Sequence, residues 1–409
     1  MIQATSSTKI VVLEDQSVTL PKGYKAGGIH CGIKKERLDL GYIVSDVPAV
    51  AAGVYTTNLF QAAPLQVTQE SIAKENKIQA ILVNSGNANA CTGEKGLDDA
   101  LQMQSKFAEE LGIEQHLVAV TSTGVIGELL PMDCINNGIK QILQSDFQQE
   151  VNFKQAILTT DTGIKQIGVQ LKIDGKTVSI GGAAKGSGMI HPNMATMLGF
   201  ITTDADIAHE DLLGALRDVT NQTFNMITVD GDTSTNDMVL VMANGLAENQ
   251  QLTKNHPDWA VFKQGLTIVC ETLAKKIARD GEGATKLVEV QVNGAYSHNA
   301  ARAVGKSIIS SNLVKTAIYG TDPNWGRIIT AIGYSGVPVE PNRIKVSIGP
   351  FTVFENGLPS QFVEEEVKEY LESENVKLTV ELNHGDDSAT AWGCDLTYDY
   401  IKINASYRT

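Results

Sequence analysis

The chain has 409 residues, 42% of them hydrophobic and 20% charged, with a formal net charge of −14. That length exceeds one ordinary core and predicts two or three domains with ample apolar material to bury. The acidic balance excludes a nucleic-acid surface or an anionic-membrane surface, since both need a basic footprint.

The opening MIQATSSTKIVVLEDQSV lacks the basic stretch and apolar run of a signal peptide. No window reaches the ~18 apolar residues of a membrane helix, which points to a cytoplasmic protein. Cys31, Cys91, Cys134, Cys270 and Cys394 are scattered and never form C-x-x-C, so buried, reduced thiols are expected. The seven histidines are dispersed without H-E-x-x-H, and no metal site is predicted.

In chain order, residues 97–111 show a helical pattern. Residues 169–173 and 177–180 alternate as strands around Asp174-Gly175, the signature of a hairpin. Residues 210–223 read as a helix. Trp259, Phe262, Leu266, Val269, Leu273 and Ile277 fall on one stripe at three- and four-residue steps, and Gly281 follows as a stop signal. Residues 287–292, 343–348, 351–354 and 376–382 alternate like strands, with a helix at 363–372. Hairpins mixed with helices, without regular βαβ alternation, predict an α+β fold of layered mixed sheets and helices.

Four stretches are small, polar and glycine-rich where a core element would be apolar: NSGNANA at 84–90, STGVIG at 122–127, GGAAKGSG at 181–188 and DGDTSTND at 230–237. Glycine lets a backbone approach a ligand and present N–H groups; tight turns at sheet ends are the competing reading. The loop at 181–188 lacks both G-x-x-x-x-G-K-[ST] and G-x-G-x-x-G, so it is not a nucleotide cradle. Lys185 within it suits a substrate carboxylate as a compact charge, or is a solvated lysine. The loop runs into MIHPNMATML at 189–198. A threonine becomes a strong nucleophile when its own α-amine, pKa about 7.7–8.0, is freed beside it. Thr196 after the small Ala195 fits that chemistry, and it equally fits a buried threonine at a helix start.

GGAAKGSGMIHPNMATML resembles the self-processing signature of the ornithine acetyltransferase (glutamate N-acetyltransferase) family of arginine biosynthesis. NSGNANACTG, TSTGVIG, LTTDT, VDGDTSTND, DGEGATK, LVKTAIYGTDPNWGR and the final IKINASYRT resemble other family segments, in family order, from about residue 25 to Thr409. The resemblance implies an αββα-like core of the aminopeptidase type with a smaller C-terminal α/β region. It implies cleavage between Ala195 and Thr196, giving an α chain of residues 1–195 and a β chain of residues 196–409. Thr196 would then carry an acetyl group from N-acetylornithine to glutamate in a ping-pong cycle, with Thr123 and Gly124 as the oxyanion hole. Substrate contacts carry over to Thr159, Lys185, Thr196, Glu282, Asn404 and Thr409.

By charge, Lys185 is expected to hold the carboxylate common to both substrates, and Glu282 to meet the ornithine ammonium. The family implies no cofactor, acetyl-CoA as a second acetyl donor in some members, and assembly as two α and two β chains. The 230–237 stretch and Arg327 are left without a role. The competing functions are an N-terminal-threonine amidase or aminopeptidase, which deacylates with water, and an uncleaved small-molecule-binding protein.

Overall fold

A computed structural model describes residues 10–144, 148–191 and 197–406. The chain divides into two compact units. The first takes Met1–Gly186, Asn193–Thr220 and Thr233–Leu273; the second takes Ser187–Pro192, Asn221–Asp232 and Ala274–Thr409.

The first unit holds strands β1 (Ile10–Leu13), β2 (Tyr24–Ile29), β3 (Leu40–Tyr55), β4 (Lys77–Asn87), β5 (Val118–Val125), β6 (Lys165–Ile173), β7 (Lys176–Lys185), β8 (Leu198–Thr203) and β9 (Met238–Ala243). They form one mixed sheet in the order β1-β6-β7-β8-β9-β3-β4-β5, with β2 also paired to β3. Its helices are α1 (Ala63–Glu75), α2 (Gly93–Leu111), α3 (Met132–Ile142), α4 (Glu150–Ala156) and α5 (His209–Gln222), and α6 (Trp259–Arg279) begins in it.

The second unit carries β10 (Leu287–Ala295), α7 (His298–Ser310), α8 (Asn312–Tyr319), α9 (Trp325–Gly333), β11 (Lys345–Ile348), β12 (Phe351–Glu355), β13 (Leu358–Pro359), α10 (Glu364–Leu371), β14 (Asn375–Glu381), β15 (Asp387–Cys394) and α11 (Tyr398–Ala405). Its sheet runs β13-β12-β11-β14-β10-β15.

Period-two alternation gives the first sheet two apolar faces. On β4, Ala80 and Leu82 join Tyr42, Val118 and Val120 against α2 and α3, where Met103, Phe107, Ile135 and Ile139 are buried. Ile81 and Val83 face the opposite side with Phe153 of α4, Phe200 and Leu240. Phe153 meets Phe200 edge-on at 5.5 Å. A strand buried on both faces reads as a continuous apolar run without alternation, so β4 carries no strand signature of its own.

The α+β class holds. The hairpin forms, with Asp174 and Gly175 both at positive φ and Ile173 paired to Lys176. The α6 stripe is buried from Phe262 through Ile277. Two expectations change. GGAAK is not loop: residues 181–185 complete β7, because a side chain at Gly181 would strike Ser17 O, and one at Gly182 would strike Val269 and Leu273 of α6. Residues 341–343 form a 3-10 turn before β11, since Pro341 has no N–H to give a ladder. All five cysteines are free and Cys270 and Cys394 are buried, but Cys91 is exposed and Cys31 and Cys134 are partly so. Cys91 sits at φ 57° just ahead of α2. No described helix is long and apolar enough to cross a membrane.

Phe107, fully buried and 6.1 Å from the Tyr42 ring, tests the face under α2. Phe107→Ala should destabilise the protein by about 3–5 kcal/mol through lost burial and a cavity, read as a lower denaturation midpoint. A loss under ~1 kcal/mol would mean the face repacks around the gap.

Candidate active site

Three of the sequence-derived residues meet in the first unit. Lys185 closes β7, and its Nζ donates to Thr159 Oγ1 at 2.8 Å and to Thr123 Oγ1 at 3.1 Å. Lys185 is 8% exposed, so it is not a solvated surface lysine. Thr123 stands near the end of β5, and β5 lies parallel to β4 with Ser85 opposite Thr123 and Gly86 opposite Gly124. Both glycines are required there. Gly124 has φ 138° and Gly86 φ 101°, and a Cβ on Gly124 would lie 2.3 Å from the Gly86 carbonyl carbon. The 84–87 and 122–125 stretches are therefore strand ends in backbone contact. Asn236 Nδ2 braces them, donating to Ala88 O at 2.5 Å and Ser122 O at 2.8 Å.

The charges around Lys185 carry no sequence motif of their own. Asp161, with its side chain fully enclosed, accepts from Lys165 Nζ at 2.7 Å, Gly186 N at 2.6 Å and Thr159 N at 3.0 Å. Burial alone would push its carboxyl up. The ammonium groups of Lys185 and Lys165, with the Thr159 N–H, instead hold it well below the usual carboxylate range. Lys34 is a second cation: its Nζ donates to Leu158 O at 2.6 Å and Leu38 O at 3.0 Å. Burial, then the nearby charges of Arg37 and Lys185, bring its ammonium down to about 8. Buried Asp39 fixes the loop bearing Lys34, accepting from the N–H groups of Cys31, Gly32 and Lys34. No motif marks Lys34. Asp161 lies inside LTTDT, four residues before Lys165.

The second unit holds the other described candidates. Asn404 of α11 donates from Nδ2 to Glu282 Oε2 at 2.7 Å. Glu282 N donates to Ser187 O at 3.0 Å, and the carboxylate lies 2.4 Å from where a Gly188 Cβ would be, so a side chain at Gly188 would displace it. Asp230 accepts from the N–H groups of Met189 and Ile190 at 2.7 and 2.8 Å and from Tyr400 Oη at 3.3 Å. Its role is to hold the backbone leading into the HPNMAT run. Burial, then the Lys306 charge, brings His191 down to about 4, so it is neutral at pH 7. Ala195, Thr196 and Thr409 lie outside the described residues.

Arg327 acts within its own helices, donating to Leu313 O at 2.8 Å and Thr316 Oγ1 at 3.1 Å. Among the described residues, one group could gather an ion: Asp174, His256 and Asp258. There His256 Nδ1 accepts from Asp258 N at 3.0 Å, and His256 Nε2 faces Asp174 Oδ1 at 3.2 Å. Together with Asp174 N donating to Asp258 Oδ2 at 3.0 Å, the group pins the β6–β7 turn to the start of α6.

Gly124→Ala combines a forbidden φ with a backbone clash. It should cost more than the ~1–3 kcal/mol of simple strain and push Gly86 aside. A crystal structure of the variant with Gly86 unmoved would refute that account.

Comparison with known proteins agrees over the whole chain. The ArgJ family model matches residues 25–409. The Oceanobacillus iheyensis protein named arginine biosynthesis bifunctional protein ArgJ is 59% identical over 408 residues, covering 100% of both chains. The Bacillus subtilis protein of that name is 57% identical over 409 residues, again covering 100% of both. A crystal structure of the Bacillus halodurans ArgJ protein is 60% identical, covers 52% of this chain and 100% of its own, and superposes with a TM-score of 0.51. With the family model matched over residues 25–409 and relatives matched at full length, this chain belongs to the ArgJ family.

Proposed function

We propose that the protein is an acetyltransferase of arginine biosynthesis that moves the acetyl group of N-acetylornithine to glutamate through an ester on Thr196. The observation that carries this reading is the Lys185 ammonium, bonded to the Thr123 and Thr159 hydroxyls beside Gly124.

The reaction begins with self-cleavage. The internal Thr196 hydroxyl attacks the Ala195 carbonyl and the peptide nitrogen leaves as the free Thr196 α-amine; water then hydrolyses the ester, releasing the Ala195 carboxylate and restoring the Thr196 hydroxyl. The full-length relatives are matched over all of their length. The crystallographic chain is matched in full by 52% of this one, and residues 196–409 are 214 of 409, the same 52%. That length supports a chain divided at this bond.

In the transfer step, the α-amine takes the Thr196 hydroxyl proton as oxygen attacks the acetyl carbon. The Thr123 hydroxyl and Gly124 N–H stabilise the resulting alkoxide; removing one such donor typically costs ~10²–10³ in rate. Collapse sends the proton to the departing ornithine amine. Glutamate's amine then attacks the ester and repeats the sequence in reverse, giving N-acetylglutamate. Lys185 holds the carboxylate shared by both substrates. Glu282, already oriented by Asn404, meets the ornithine ammonium, and Thr409 completes the contacts. Acetyl-CoA serves as the alternative donor of a bifunctional enzyme, and two α and two β chains make the assembly.

Wild-type protein should run as two bands on a denaturing gel and Thr196→Ala as one. Ornithine release should require glutamate; release with water alone would make the enzyme a hydrolase. Lys185→Ala should raise KM for N-acetylornithine and glutamate together, by about tenfold or more for a lost charge-assisted contact. A rise for only one substrate would remove Lys185 from the shared carboxylate.

A further inference from the structure

Asp161 is a buried charge that the transfer chemistry leaves unused. It sits between the two sequence segments that build the Lys185 cluster. Its Oδ2 accepts from Thr159 N at 3.0 Å, and its Oδ1 from Gly186 N at 2.6 Å and from Lys165 Nζ at 2.7 Å. Thr159 is the residue whose hydroxyl receives Lys185 Nζ, and Gly186 directly follows Lys185. One carboxylate therefore fixes the acceptor of the ammonium and the backbone that carries it. The surrounding charges point the same way. Lys165 on β6, Lys185 on β7 and Lys34 ahead of β3 all act on Asp161, and both Asp161 and Lys165 are withdrawn from water. Buried ammonium groups lose hydration and repel one another, so each holds its proton only beside an opposite charge.

We propose that Asp161 is the positioning residue of this site, fixing Thr159 and Gly186 through their N–H groups and supplying the counter-charge that keeps Lys185 an ammonium while substrate carboxylates come and go. The proposal rests on Lys185 being the carboxylate contact. Asp161 itself touches no substrate and acts through Lys185 and Thr159.

The test compares Asp161→Asn and Lys165→Met in the full, self-processed protein. Asparagine keeps the shape and an acceptor but loses the charge. Lys185 should then lose its proton at lower pH, so the alkaline rise in KM for both substrates moves down. A displacement of about one pH unit corresponds to a tenfold change in KM at fixed alkaline pH. Lys165→Met removes a competing cation and leaves Asp161 to Lys185, so the rise should move up. Displacements of opposite sign are not produced by general loosening, which lowers the denaturation midpoint and leaves the pH profile in place.

Profiles that coincide with wild type in both variants overturn the proposal, as does a shared direction. If Asp161→Asn yields no folded protein, Lys165→Met alone decides: an unmoved profile overturns it. Wild-type turnover separately tests the acetyl-transfer reading. Were that activity missing, NMR titration of 13C-lysine-labelled protein would follow Lys185 directly, and a titration unchanged by Lys165→Met would again overturn the inference.

Discussion

The pairing of β7 with β8 is the constraint on which the rest depends. Lys185 and Leu198 lie opposite each other at the ends of these antiparallel strands, and the chain between them carries the Ala195–Thr196 bond. β8 continues into the sheet through a parallel ladder with β9, and β7 through β6. Both ends of the connection are therefore secured by backbone hydrogen bonds that do not need the connection itself. A cut within the connection would remove a covalent link and leave the ladders to hold both ends. The compact units cross that point as well, since the first draws on sequence from both sides of it. Fragments from such a cut would not coincide with the compact units.

The same strand pairing explains why the chemistry gathers where it does. β7 delivers Lys185 at its last residue, and the parallel β4–β5 pair delivers Gly86 and Thr123-Gly124 at its own ends. Strand ends are where a sheet's ladder stops and N–H groups become available to something else. At Gly124 this is extreme. The positive φ and the contact with Gly86 mean that no other residue fits, and that the Gly124 N–H is held by a backbone with little freedom. Donors that are fixed before the reaction need no reorganisation as charge develops, which is the basis of oxyanion stabilisation.

Local periodicity made part of this legible in the sequence. The 169–173 strand and the α6 stripe announce themselves because their buried positions recur at a regular step. β4 and β9 do not, being buried on both faces. GGAAK looked like loop because its small residues answer to neighbours distant in sequence, Ser17 and Leu273 among them. Residue types alone left Thr196 between nucleophile and structural threonine, and left Lys185 between ligand contact and surface charge. Family motifs separated those alternatives for the sequence; for Lys185 the structure adds two hydroxyl partners at hydrogen-bond distance, 26 and 62 residues away. Asp161 stayed hidden because Asp and Lys four apart look like an exposed helical pair. In the fold they sit in a turn and a strand, enclosed.

That enclosed pair bears on how one site could serve substrates of different charge. An isolated buried lysine would bind a carboxylate strongly and release it slowly, which hinders a cycle in which ornithine leaves before glutamate enters. Asp161 partly balances Lys185, while the cations Lys185, Lys165, Lys34 and Arg37 outnumber the carboxylates Asp161 and Asp39 and leave the cluster net positive. The surplus still attracts an anion into a protein that is acidic overall. Meanwhile the counter-charge limits the penalty each time the site empties. Attraction and release are then set by the same few charges, and a change to any one of them shifts both together.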